Sequence, residues 1–88
     1  MDIKHARKLV TNTLDDVQED AAFGRPVLIA TFRASKDREV VEIRVNEDNT
    51  FAVRSVATST SGSGLLNMAD AYTRLASFIR KAGLKEEP

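Results

Sequence analysis

The fold is decided by residues 39–57, which read EVVEIRVNEDNTFAVRSVA. Apolar and polar side chains alternate on both sides of the turn signal NEDN at 46–49, and a period of two is typical of strands that bury one face. We therefore predict two strands, 39–46 and 50–57, joined as an antiparallel hairpin.

The segment before this hairpin reads VLIATFRA at residues 27–34 and is rich in β-branched and aromatic side chains. Such a composition favours a strand, and the polar residues 35–38 that follow are typical of a turn. The sequence therefore predicts a third strand, 27–34, and with it a three-stranded antiparallel sheet.

Apolar residues recur at intervals of three and four on either side of the predicted sheet, which indicates two amphipathic helices. The first is predicted over residues 2–22, with Asp2 as its cap and with Gly24 and Pro26 ending it. The second is predicted over residues 65–82. Because the linking segments are short, the helices should run roughly parallel and pack on one face of the sheet, leaving the other face open.

Two remaining segments lack the side chains for a core. Residues 58–64, TSTSGSG, predict a flexible connection, and residues 85–88 predict a frayed tail. With 88 residues, the chain has room for a single domain spanning 1–88. The predicted fold class is α+β, with the element order α-β-β-β-α.

The composition narrows the classes of function. The chain has no cysteine, and its 13 Lys and Arg balance its 13 Asp and Glu. No apolar run approaches the roughly 18 residues of a membrane span, so we expect a cytoplasmic protein that does not enter a membrane. The one histidine, His5, has no evident partner base or fellow ligand. We therefore expect no enzymatic activity, no metal and no cofactor.

The open sheet face offers the most informative surface. If Val45 faces Phe51 across the hairpin, Glu42 falls opposite Arg54, and Arg33 extends this row into a ladder of opposite charges. Apolar side chains around arginines are typical of protein interfaces. We predict that a partner binds six residues of this face: Arg33, Val40, Glu42, Arg44, Arg54 and Val56.

Two further features favour an interface over an ordinary water-facing sheet, which is the alternative. Val27 and Ile29 on the open face have no predicted cover. The strand 50–57 continues into a Thr/Ser-rich extension, which is suited to accept an added strand from a partner.

The acidic end of the first predicted helix is a second candidate surface for a protein partner. It consists of Asp15, Asp16, Glu19 and Asp20, placed at the negative end of the helix dipole, where acidic groups are unfavourable. One interpretation is a docking surface for a basic partner. The other, which the sequence favours because such surface pairs are common, is intramolecular pairing with the basic residues that end the second helix, namely Arg80, Lys81 and Lys85.

The basic start of the first helix is the candidate surface for nucleic acid, through Lys4, His5, Arg7 and Lys8 together with Arg38. The element order resembles that of the double-stranded-RNA-binding domain, a family that holds phosphates with lysines at the start of its second helix. Here those positions read GSGLLN at 62–67. Without lysines there, the family's RNA contacts are not carried over, and the zero net charge disfavours phosphate binding.

The sequence therefore predicts a small non-enzymatic protein-interaction or regulatory module. It would bind a protein partner, or itself as a homodimer, through the open sheet face or a charged helix surface. The alternative is a nucleic-acid-binding domain that uses the basic start of the first helix.

Overall fold

The computed structural model describes residues 1–22, 25–35, 38–57 and 62–88. Seven elements follow one another along the chain: α1 (Ile3–Leu9), β1 (Asp16–Ala22), β2 (Arg25–Ser35), β3 (Arg38–Val45), β4 (Thr50–Ala57), α2 (Gly62–Ala82) and β5 (Lys85–Glu86). The strands form one sheet in the order β1-β2-β3-β4-β5. Neighbouring strands are antiparallel except β4 and β5, which are parallel.

The predicted three-stranded sheet with two helices on one face is therefore wrong, because the sheet is mixed and has five strands. The main error is the helix over 2–22, which ends at Leu9. The Asn12 side chain accepts a hydrogen bond from the Leu14 N–H at 2.9 Å, a local turn that competes with helical bonding. Beyond that turn, Asp16–Ala22 pairs with β2 as a strand. Spacing alone did not separate these two outcomes.

The predicted start of the first helix is confirmed. The carboxylate of Asp2 accepts a hydrogen bond from the His5 N–H at 2.9 Å, which satisfies one of the free donors of the first turn. Ala6 is the buried residue of this short helix, and α1 packs against both β1 and α2.

The three strands predicted from sequence correspond to β2, β3 and β4, with ends that differ by at most two residues. Val45 does face Phe51, which is the pairing on which the predicted charge ladder depends. The register then shifts between Glu42, which faces Ser55, and Ile43, which faces Val53, so Arg54 is the extra residue of a β-bulge in β4 and does not face Glu42. A bulge inserts one unpaired residue into one strand, and simple alternation does not locate it.

The last part of the chain also differs from prediction. Helix α2 begins at Gly62, so residues 62–64 of the predicted flexible connection are helical, while 58–61 lie outside the described residues. The predicted frayed tail contains β5: the Lys85 N–H donates to the Asn49 carbonyl at 3.0 Å and the Glu87 N–H donates to the Phe51 carbonyl at 2.9 Å.

One side of the sheet is covered by α2, which packs mainly against β2 and β3. The rings of Phe32 and Phe78 meet edge to face with their centroids 5.5 Å apart, which joins the sheet to the helix. The core residues of this layer are Ala6, Val17, Leu28, Ala30, Phe32, Val41, Ile43, Val45, Met68, Ala71, Leu75, Phe78 and Leu84. Neither helix, over the described part of the chain, has the length and apolar character needed to cross a membrane. We call the opposite side of the sheet the outer face.

Candidate functional site

The outer face forms a shallow groove lined mostly by polar side chains. Arg54 of β4 and Asp20 of β1 approach each other across it, with Nη1 and Oδ2 separated by 3.4 Å. Two strands lie between β1 and β4, so this contact requires a strongly twisted sheet whose diagonal corners come together. The groove is lined by Asp16, Gln18, Glu19, Asp20, Ile29, Thr31, Arg33, Glu42 and Arg54.

The bare apolar patch that the sequence predicted around Val27 and Ile29 is not found on the outer face. Val27, Ile29 and Thr31 are all buried. The residues that the sequence predicted to bind a partner on this face are also dispersed. Arg33 and Glu42 line the groove, whereas Arg44 bonds Glu87 and Asn46 at the far end of the sheet.

The bulge moves one predicted contact residue to the other side of the sheet. Val56 faces Val41, and Val53 faces Ile43, and both of these β3 residues belong to the core beneath α2. Val53 and Val56 therefore project on the α2 side. They are nonetheless 61% and 41% exposed, because one helix covers only about two strands and α2 packs mainly against β2 and β3.

A third exposed apolar side chain lies on the same side of the molecule. Tyr72 of α2 is 44% exposed. It lies about 200° around the helix from Arg74. Since the Arg74 guanidinium reaches Asp15 beside β1, Tyr72 is directed towards the β4 side. We call Val53, Val56 and Tyr72 the β4 margin.

The outer edge of β4 is open along most of its length. Of the described strands, β5 is the one that borders this edge, and it pairs with Thr50 and Phe51. Along residues 52–57, the backbone N–H and C=O groups that point away from β3 consequently have no strand partner in the described part of the chain. An unpaired edge of this kind is a template for another strand.

The four acidic candidates do not form a helix surface, because residues 16–22 are a strand. Asp15 is buried against Arg74, and Asp16 accepts a hydrogen bond from Gln18 at 2.7 Å. Glu19 borders the groove but faces the core residue Leu28, so its side chain projects to the α2 side, whereas Asp20 projects into the groove. The structure therefore distributes these carboxylates over both faces of β1.

The basic candidates remain together on α1. Lys4, His5 and Lys8 are exposed, and Arg7 is exposed while its Nε donates to the Val17 carbonyl at 3.3 Å. The side chain of Arg38 lies outside the described residues.

A cluster at the far end of the sheet holds the C-terminal tail. The Glu87 carboxylate accepts hydrogen bonds from Arg44 Nη2 at 2.7 Å and from Asn46 Nδ2 at 2.6 Å. These bonds, chiefly the one from Arg44, lower the pKa of Glu87 below its usual value. The cluster anchors β5 beside Phe51, and so sets where the open part of the β4 edge begins.

Sequence reasoning missed the β4 margin as a surface. It placed Val53 on the helix-covered side, which is where the structure has it, but assumed that the helices cover the whole sheet. If β1 had been recognised as a strand, four strands of seven or more residues against one long helix would have indicated uncovered apolar residues. Comparison with protein-family models, with curated proteins and with solved structures finds no match for this chain.

Proposed function

We propose that this protein is a non-enzymatic interaction module that binds an extended protein segment along residues 52–57 of β4. The observation that supports it is the open backbone edge with the exposed Val53 and Val56 beside it. In strand addition, main-chain hydrogen bonds supply affinity and the alternating side-chain contacts supply specificity.

The two edges of the sheet differ in a way that favours β4. The outer edge of β1 is also unpaired among the described strands, but β1 carries Asp16, Glu19 and Asp20 within seven residues. Charged residues on an edge strand discourage pairing with another chain. In β4 the one charged residue is Arg54, and the neighbouring side chains are small or apolar.

Binding to β4 is tested by affinity capture from native lysate, with captured proteins identified by mass spectrometry. We expect Val53→Lys and Val56→Lys to lose the partner, because lysine on an edge strand opposes strand addition. The matched control is Gln18→Lys, an exposed residue on the opposite edge strand. Equal retention of the partner by all three variants would contradict the proposal.

Treating half of each sample with nuclease distinguishes this proposal from the second candidate function, which is nucleic-acid binding. Exposed Lys4, His5 and Lys8 on α1 are the groups that a nucleic acid would contact. A partner lost on nuclease treatment, and retained by both Val variants, would favour nucleic-acid binding through α1 over the proposal. Such binding would also weaken steeply with salt.

A further inference from the structure

Because of the bulge, the side chains of residues 53–56 in β4 project on the two faces of the sheet in an order that reads the same in both chain directions. Val53 and Val56 project on the α2 side, opposite the core residues of β3. Between them, Ser55 donates to Glu42 at 3.2 Å and Arg54 reaches Asp20, so both project on the outer face. The order from 53 to 56 is therefore α2 side, outer, outer, α2 side, which is the same in both chain directions.

The backbone of this segment has the matching symmetry. The Phe51 carbonyl points away from β3, since it accepts the Glu87 N–H from the β5 side. Backbone groups alternate in direction along an antiparallel strand, so those of Val53 point outward too. The residue added by the bulge makes Val56 the next one to point outward. Val53 and Val56 thus present to the same edge donors and acceptors that have no partner among the described residues.

From these two symmetries we propose that the occupant of the β4 edge is a second copy of this chain, a statement that rests on the proposed function. The two β4 strands pair antiparallel about a two-fold axis between Arg54 and Ser55. Val53 of each copy then lies opposite Val56 of the other and exchanges both backbone hydrogen bonds with it, giving about four bonds. The result is a continuous sheet across the dimer.

The faces on which these side chains project favour this register over the two registers whose two-fold axis passes through Ser55 or Arg54. A two-fold axis on Ser55 would place outer-face Arg54 opposite Val56 on the α2 side. An axis on Arg54 would place two arginines directly opposite each other, which is unfavourable. In the proposed register, Arg54 lies opposite Ser55 of the second copy, next to Glu42 in the same row. The zero net charge of the chain adds no general repulsion between copies.

The size of the contact sets the expected affinity. Residues 52–57 supply roughly 20 Å of paired strand, and the four valines of the two copies form one apolar cluster on the α2 side. This contact is at the lower end of the range for specific interfaces, so the dimer should dissociate on dilution.

Sedimentation velocity of the purified chain from about 1 μM to about 1 mM tests the dimer directly. The mass should rise from one chain towards two, and Val53→Pro should weaken association at least roughly tenfold, since proline removes an outward N–H that has no partner in the described part of the monomer. Val53→Thr, which keeps the N–H and a β-branched shape, is the control. Circular dichroism confirms that each variant is folded.

Disulfide trapping tests the register without relying on proline. The chain has no cysteine, so Arg54→Cys and Ser55→Cys each introduce a single thiol. When mixed and oxidised, the two variants should form the mixed disulfide at least roughly tenfold faster than either forms one with Thr73→Cys, because facing residues of a non-hydrogen-bonded pair have closely spaced Cβ atoms. Thr73 is exposed on α2 and serves as the control position.

The outcomes separate the two proposals. A chain that stays monomeric at the highest concentration, or a dimer indifferent to Val53→Pro that gives no preferential disulfide, overturns the second-copy proposal. If the protein does not dimerise in this way but its Val53→Lys variant still loses a partner captured from lysate, the proposed function stands and the occupant of the β4 edge is a different protein. If it retains every partner, both proposals fail.

Discussion

Asp15 and Arg74 form a two-pronged ion pair that joins α2 to the start of β1. Arg74 Nε lies 2.8 Å from Asp15 Oδ2, and Arg74 Nη2 lies 3.1 Å from Asp15 Oδ1. The Asp15 side chain is only 2% exposed and also accepts the Arg33 N–H at 3.3 Å. Arg74 donates in turn to the Arg33 carbonyl. The long helix is therefore tied to the sheet through the partly buried backbone N–H and carbonyl of Arg33 as well as through the core.

Replacing Asp15 by alanine should lower the free energy of unfolding by about 3–5 kcal/mol, because it leaves the partly buried Arg74 guanidinium without its counter-charge. Urea denaturation measures the loss. Asp70→Ala, at an exposed position on the same helix, is the control and should stay within about 0.5 kcal/mol of wild type. Equal losses for the two variants would contradict the role given to the ion pair.

The contact between Phe32 and Phe78 leads to a second prediction. Phe78→Ala should lower the free energy of unfolding by about 3–5 kcal/mol, because it opens a cavity between α2 and the sheet. Tyr72→Ala on the same helix removes an aromatic ring that is 44% exposed, so its effect should be clearly smaller. Thermal and urea melts of both variants provide the measurement, and a larger loss for Tyr72→Ala would refute the packing described.

The lowered pKa of Glu87 predicts how the tail contributes to stability with pH. A carboxyl whose pKa is lower in the folded than in the unfolded chain stabilises the fold above its unfolded pKa, and this contribution is lost as pH falls through the folded pKa. The difference in urea midpoint between wild type and Glu87→Gln should therefore be largest near neutral pH. It should fall towards zero as the pH is lowered and Glu87 becomes protonated.

The control for the tail is Glu86→Gln, at the exposed neighbouring position, whose midpoint should follow that of wild type throughout. Asp2 and Asp48 also have lowered pKa values, from hydrogen bonds to nearby backbone or hydroxyl groups. They remain in both proteins and so cancel in the comparison. A difference in urea midpoint between wild type and Glu87→Gln that grew as the pH fell would contradict the stabilising role given to the Glu87 carboxylate.

The contact between Arg54 and Asp20 should contribute little to stability. Both side chains are about half exposed, at 49% and 46%, and the distance is 3.4 Å. A double-mutant cycle with Arg54→Ala and Asp20→Ala should give a coupling energy below about 1 kcal/mol. This result would make Arg54 suitable for binding experiments, because its variants stay folded. A coupling of several kcal/mol would mean that the pair holds the sheet's curvature.

Much of the fold was accessible from local pattern. The period-two alternation of 39–57 predicted the hairpin, and the period of 3.6 in 65–82 predicted most of α2. Both patterns are strong because β3 and α2 each bury one face against the core, through Val41, Ile43 and Val45 in β3 and through Met68, Ala71, Leu75 and Phe78 in α2. The spacing in residues 10–21 fitted a helix equally well, but only Val17 is buried among the residues of β1 classified from 16 to 21. That segment was therefore ambiguous.

The candidate site was accessible only in part. The sequence predicted that the strand 50–57 offers an edge for strand addition, and that prediction remains a proposal. It did not predict which side chains border the edge, because the bulge at Arg54 and Ser55 reverses the face of Val56.

The sequence by itself determined the elements that carry a strong local signal: β2 through its β-rich composition, β3 and β4 through their alternation and the turn between them, and the long helix through its period of 3.6. The tertiary structure decided what depends on distant partners, namely β1, β5, the bulge and the uncovered β4 margin. The reason is that a strand gains its backbone hydrogen bonds only from another strand. Residues 16–22 and 85–86 become strands because β2 and β4 lie beside them, and no local pattern contains that information.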